Sequence, residues 1–313
     1  MIEYEIVRHD RMRGVRVLIN AIRIRSLHMH HDTELLYVIH GSGSVIIRNH
    51  PYHLDQNDIF VINAYEPHEI LSDGNDFTLI IIQFSGHFLQ EYCSLNRMLF
   101  SNGRLSEQMD KEDLADLKRD IFDLSVSYLE GGEYFSLLCV SRLSAILYSL
   151  MKHTDMILLS ESEYAKRRKT EKRMMRISEY IEMNYQEPLR LRDLAEKEGV
   201  TETHLSHFIR QEFGISFQDY LRNKRLECAV RMIHTNRTLC EISDACGFSE
   251  LKYMTKAFRE AFHMTPAEYR AQASPAVHHE GDSDSTEYIY PAKEALALLK
   301  ETALFQQKTA AEK

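Results

Sequence analysis

No C-x-x-C pair occurs in this 313-residue chain, and its five cysteines (Cys93, Cys139, Cys228, Cys240, Cys246) are odd in number. All five sit within apparent secondary structure, which argues against a disulfide framework and for reduced, half-buried small hydrophobes. The basic segment and apolar run of a secretory signal are missing from Met1-Ile2-Glu3-Tyr4-Glu5 onward. The longest apolar stretch, Phe135 to Met151, is interrupted by Arg142 and several serines, and falls short of the roughly 20 apolar residues of a membrane helix. A cytoplasmic protein with no membrane partner is therefore expected. Positive charge is also scarce: 38 Lys and Arg face 47 Asp and Glu, a net charge of −9. Averaged over the chain, that balance argues against nucleic-acid binding.

The balance changes when the chain is divided. Residues 166–270 carry 20 Lys and Arg against 16 Asp and Glu, whereas residues 1–165 stand at −10 and residues 271–313 at −3. A modest basic segment is thus set apart, as expected when only one domain meets phosphate. The length suits two domains, each with its own core.

Residues 1 to about 90 read as β structure: Val15–Ile19, Glu34–Ile39, Ser44–Ile47, Asp58–Ile62 and Phe77–Phe84 alternate with turn clusters such as Gly41-Ser42-Gly43. That spacing predicts a small antiparallel barrel or sandwich. From about Ser106 the period becomes helical, with Leu114, Leu117, Ile121, Leu124 and Tyr128 in one stripe. After Gly131-Gly132, Leu137, Leu138, Ser141, Ala145 and Tyr148 make a second. An amphipathic hairpin over residues 106–152 is expected to hold a homodimer. Residues 153–170, ending in Lys166-Arg167-Arg168-Lys169, read as a linker.

Residues 171–270 contain an internal repeat. The first copy reads Leu191 to Thr201 followed by the helical run Glu202 to Phe213; small Ala195 lets two helices cross, Gly199 supplies a positive φ, and Thr201 caps the second helix. About 48 residues later the grammar returns with Ile242, Ser243, Cys246, Gly247, Phe248 and Ser249 as the cap before Glu250 to Phe262. Each copy closes alike, with Phe213-Gly214-Ile215-Ser216 and Phe262-His263-Met264-Thr265. Two helix-turn-helix units in tandem are expected.

The stretch Ile242 to Arg270, with Gly247-Phe248-Ser249 and Thr265-Pro266-Ala267-Glu268-Tyr269-Arg270, resembles the signature of the AraC/XylS-type regulators. Ser243 stands where that family usually has Ala, and His263 where it usually has Gly. The resemblance implies a two-domain α+β protein: an N-terminal cupin-like antiparallel barrel with a helical hairpin, and a C-terminal all-α domain with two helix-turn-helix motifs. It implies a transcription regulator, with double-stranded DNA and a small-molecule effector as partners, RNA polymerase as a candidate third, and no cofactor or enzymatic activity.

Leu205, Phe208 and Ile209 share an apolar helix face, which leaves Thr203, Ser206, His207 and Arg210 outward as DNA-contact candidates. In the second copy Met254, Ala257 and Phe258 face inward, leaving Leu251, Lys252, Thr255 and Lys256 outward. Leu251 suits thymine methyls, and the lysines suit guanine edges or phosphate. Arg222, Lys224, Arg225 and Arg231, on the connecting helix, read as solvated surface.

His28-Met29-His30-His31-Asp32-Thr33-Glu34 resembles the first motif of cupin barrels, and Asp58 to His68 is a poorer second match. Positions 28, 30 and 34 share one side of an extended strand. His28, His30, Glu34 and His68, with Tyr37 near the mouth and Arg23 and Arg25 one strand earlier, are candidates to line a pocket for a sugar-like or carboxylate effector. The first four would also suit iron, manganese or zinc. A metal-dependent cupin enzyme fused to a DNA-binding unit therefore stands as the alternative. In the tail, residues 271–313, an acidic break over residues 278–287 precedes a helix beginning near Pro291.

Overall fold

A computed structural model of the chain describes residues 3–4, 7, 9–48, 50–73, 77–101, 103–271 and 287–311. These residues fall into two compact units: residues 5–25, 29–167 and 287–313 form the β-rich one, and residues 168–286 the helical one, with which the short stretches 1–4 and 26–28 are grouped. The acidic break lies mostly outside the described residues.

The strands are β1 (Glu3–Tyr4), β2 (Val15–Ile22), β3 (Ile24–Met29), β4 (Asp32–His40), β5 (Gly43–Ile47), β6 (His50–Leu54), β7 (Ile59–Ile62), β8 (His68–Ser72), β9 (Thr78–Ser85), β10 (Met98–Phe100), β11 (Met156–Leu158) and β12 (Glu287–Ile289). Two five-stranded sheets result, ordered β1-β3-β8-β5-β6 and β12-β2-β9-β4-β7. The second sheet is covered on both faces, so every residue of β4 but His40 is buried. Alternation decides which side chain meets which layer. Leu36, Val38, Phe60, Ile62, Leu79 and Ile81 pack between the sheets with Val45, Ile47 and Ile70, whereas Leu35, Tyr37, Ile39, Ile80 and Ile82 pack against helices.

Those helices are α1 (Lys111–Glu130) and α2 (Phe135–His153). Asp110 caps α1 by accepting from the Glu112 and Asp113 amides, and Gly131, at φ 71°, ends it. The stripe Leu117, Ile121, Leu124 and Tyr128 is buried as expected, with Leu114 partly so. On α2 the buried stripe is Cys139, Leu143, Ile146, Leu147 and Leu150. The stripe read from the sequence (Leu137, Leu138, Ser141, Ala145, Tyr148) is exposed throughout. This helix is apolar nearly all round, so periodicity alone could not choose the packed side. By length and composition α2 also passes as a membrane span, but here one face packs on α1 and the sheet.

The tail joins the β-rich unit. β12 pairs with β2, Tyr288 opposite Ala21, and α10 (Ala292–Ala311) buries Ala295 and Leu299 in the same core as α1.

The helical unit is built from α3 (Glu161–Asn184) from Arg168 onward, α4 (Leu191–Lys197), α5 (Glu202–Phe213), α6 (Phe217–Met232), α7 (Leu239–Ala245), α8 (Leu251–Phe262) and α9 (Pro266–Ala271). The stretch read as a linker is largely helical, since α3 runs unbroken through Lys166-Arg167-Arg168-Lys169. Lys224 is not surface: its side chain is 1% exposed and pairs with Glu182 and Glu227. Arg225 donates to the Tyr185 and Glu187 carbonyls at 2.7 and 2.8 Å. Cys240 is exposed, unlike the buried Cys139, Cys228 and Cys246.

Candidate functional sites

The polar cluster of the barrel starts from a cross-strand row. Arg16, Gln83 and Glu34 are neighbours in register on β2, β9 and β4. Gln83 donates to Glu34 Oε2 at 2.8 Å, and Arg16 donates to Gln83 Oε1 at 3.4 Å. His30 Nε2 lies 3.0 Å from Glu34 Oε2, His68 Nε2 lies 3.6 Å from Glu34 Oε1, and the two rings meet edge-on at 5.3 Å.

Burial alone would raise the Glu34 carboxyl, but hydrogen bonds and positive charge from His30 and His68 outweigh it and hold the group well below the usual carboxylate range. His30 Nδ1 donates to the Asp32 carbonyl at 2.9 Å. With acceptors at both nitrogens, the ring donates twice only as an imidazolium.

His28 is buried on β3, and one nitrogen from each of His28, His30 and His68 lies within 4.8 Å of the others. These residues fit a metal as donors, because His30 and His68 each direct Nδ1 to a backbone carbonyl, Asp32 and Glu66, the usual support for an Nε2 ligand. The single-strand parity argument fails, however. The chain leaves one sheet at Met29 and enters the other at Asp32, so His28, His30 and Glu34 lie on a strand, a connection and another strand.

Tyr37 does not join them. Three residues from Glu34 on β4, it points to the helix side, where its hydroxyl donates to Asn57 at 3.1 Å. Arg25 pairs with Glu287 of β12, and Arg23 is exposed at the corner between β2 and β3. Gln83 and Arg16, not among the sequence candidates, belong to the site. The inward parity of Phe77 to Phe84 was the signal that could have found Gln83.

In the helical unit α5 buries Leu205, Ile209 and Phe213, and presents Thr203, Ser206, His207 and Arg210 to solvent. Phe208 is half-buried beneath the Arg173 guanidinium, 5.3 Å from its ring centre. Thr201 accepts from the His204 amide, the expected cap. α8 buries Met254, Ala257 and Phe258; Lys252 and Lys256 are exposed, with Leu251 and Thr255 half-buried beside them. Those four, with Arg259 and Glu260, line an open groove, so Arg259 joins the outward set. Ser249 does not cap this helix: the capping position falls on Glu250, whose side chain makes no cap bond.

A β-barrel with an enclosed polar cluster and a tandem helix-turn-helix unit define the class of a two-domain ligand-binding and helix-turn-helix protein. Family models agree: residues 22–147 match the AraC-like ligand binding domain, and residues 194–272 match a helix-turn-helix domain. The chain thus carries an AraC-like ligand-binding domain and an AraC-type helix-turn-helix domain. It is 23% identical over 274 residues to an uncharacterized HTH-type transcriptional regulator of Staphylococcus aureus, covering 85% of this chain and 34% of that protein. It thus spans about a third of the length of such relatives. A lactose operon transcription activator of Staphylococcus xylosus is 24% identical over 239 residues, 74% of this chain and 81% of that one. The C-terminal domain of a two-component response regulator from Fusobacterium nucleatum is 33% identical, with TM-score 0.30, covering 31% of this chain and 96% of that domain.

Proposed function

We propose that the chain is a ligand-responsive transcription regulator that reads double-stranded DNA through α5 and α8. The observation that carries this reading is the pair of helices, each burying one face and presenting polar or basic side chains at helical spacing on the other. Thr203, Ser206, His207 and Arg210 on one, and Leu251, Lys252, Thr255 and Lys256 on the other, are the contact residues. α6 separates the two units by 16 residues, roughly 24 Å of helix, which suits adjacent major-groove segments about one helical turn apart. Arg210→Ala should cost about 1–3 kcal/mol of affinity and relax sequence preference, and Lys256→Ala should weaken all sites and lower the salt slope by about 1. Titration of the full chain with selected DNA checks both; full affinity in both variants overturns the assignment.

The barrel cluster of His28, His30, Glu34, His68, Gln83 and Arg16 is the effector site in this reading. A few placed donors and acceptors beside an apolar wall suit a polyhydroxylated ligand, and the lactose operon relative supports a sugar-like class. The protein then works in the cytoplasm, is not an enzyme, and meets RNA polymerase as its further partner. The exposed stripe Leu137, Leu138, Ser141, Ala145 and Tyr148 of α2 is the homodimer face. Sedimentation should show a dimer that Leu138→Glu converts to monomer; a parent monomer at tens of micromolar overturns that face. A metal-dependent cupin enzyme remains a second reading, favoured by the three clustered histidines; stoichiometric iron or manganese lost in His68→Ala would support it.

A further inference from the structure

A second cluster lies outside the residues given to effector and DNA. Asp32, the first residue of β4, has a fully buried carboxylate. Its Oδ2 lies 2.6 Å from His9 Nε2, and its Oδ1 lies 3.3 Å from His31 Nε2. A ligand atom from each of the three lies within 4.8 Å of the others. The two imidazoles remain accessible, at 17% and 32% exposure, so the group opens toward solvent. No Lys or Arg pairs with Asp32 among the described residues, and its buried Oδ1 has no hydrogen-bond partner there.

Among the described residues this buried carboxylate has two imidazoles beside it and no permanent cation, and a bound metal ion would offset its desolvation. We propose that His9, His31 and Asp32 form a binding site for a divalent transition-metal ion of the zinc class. Two imidazole nitrogens and one carboxylate oxygen select such an ion over calcium or magnesium, which prefer all-oxygen shells. Three protein ligands leave a coordination position for water. His9 comes from the segment before β2, so the ion would tie that segment to the start of β4. The Asp32 carbonyl already accepts from His30, which places the site one hydrogen bond from the effector cluster without sharing a ligand with it.

The test is titration of the metal-stripped full chain with Co(II), read by visible absorption, and with Zn(II), read by calorimetry. The parent should bind one ion at this site. His9→Ala and His31→Ala, both at partly exposed positions, should each weaken that binding at least about tenfold, while His68→Ala leaves it intact. Asp32→Asn should behave as the histidine variants do if it folds, and the two histidine variants decide the proposal in either case. No uptake by the parent, uptake unchanged in both His9→Ala and His31→Ala, or uptake abolished only by His68→Ala overturns it.

Discussion

The two helix-turn-helix units repeat one grammar about 48 residues apart, yet each is tied to the long helix before it by different chemistry. In the first, the residue before the turn glycine is Glu198, which accepts from Arg176 of α3 at 2.8 and 2.7 Å and lies 3.4 Å from Arg173. In the second it is Cys246, fully buried, with its thiol 3.8 Å from the Met232 sulfur of α6. The glycines differ in the same way. Gly199, at φ 65°, has nothing within 4 Å of where a Cβ would stand, whereas a Cβ on Gly247, at φ 81°, would lie 2.6 Å from the Gln186 carbonyl oxygen. The exits diverge as well. Gly214 ends α5 at φ 76° and His263 ends α8 at φ 57°, a left-handed conformation costlier with a side chain. Arg225 and Arg270 nonetheless do the same work, each donating to two carbonyls past the preceding long helix, Tyr185 and Glu187 in one case and Ile233 and Arg237 in the other. Similar turn geometry can therefore be reached with a partly exposed ion pair or a dry, crowded contact, and the two should fail differently.

The largest expected contrast is at the turn glycines. Gly199→Ala should cost about 1 kcal/mol, the strain of a positive φ alone. Gly247→Ala adds a clash with backbone that cannot swing aside, and should exceed about 3 kcal/mol. Thermal denaturation of both variants measures the difference; equal losses would remove the crowding argument.

The next contrast is electrostatic. The hydrogen bond from Arg176 is the main cause holding the Glu198 carboxyl below its ordinary value, against burial and with help from Arg173. Since the folded group holds its proton less tightly than the unfolded one, its contribution is present above the ordinary carboxylate range and fades as pH falls through the lowered value. Glu198→Gln should therefore cost about 1 kcal/mol at neutral pH, discounted because Arg176 is more than half exposed. Parent and variant should converge in acid. A gap that persists or widens in acid would refute the ion-pair account.

The smallest contrast is at the crossing residues. Ala195 is buried in the first unit and Ser243 in the second, where the Ser243 hydroxyl has no hydrogen-bond partner among the described residues. Ser243→Ala should therefore stabilise the protein by roughly 1 kcal/mol, read as a small rise in Tm. A fall would mean that the hydroxyl is satisfied.

Much of this was legible in one dimension. The inward residues of α5 and α8 apart from half-buried Phe208, the left-handed Gly199 and Gly247, the Thr201 cap and five of the barrel strands follow from period, turn chemistry and local bonding, which act within a few residues. β6 and β8 went unread, and β3 was run on into β4, because their residues are half polar and their strand character rests on partners far along the chain.

By itself the sequence determined that two helix-turn-helix units exist and which face of each second helix is buried, because a helix closes its hydrogen bonds within itself. Tertiary structure alone decided the rest of the two sites. Strand pairing put Arg16, Gln83 and Glu34 in one row, since register is a relation between distant segments. It decided which stripe of α2 turns outward, that the tail adds β12 to the edge of β2, and that Gly247 faces Gln186 where Gly199 faces nothing. Each depends on which surface another part of the chain occupies, and no local pattern encodes that.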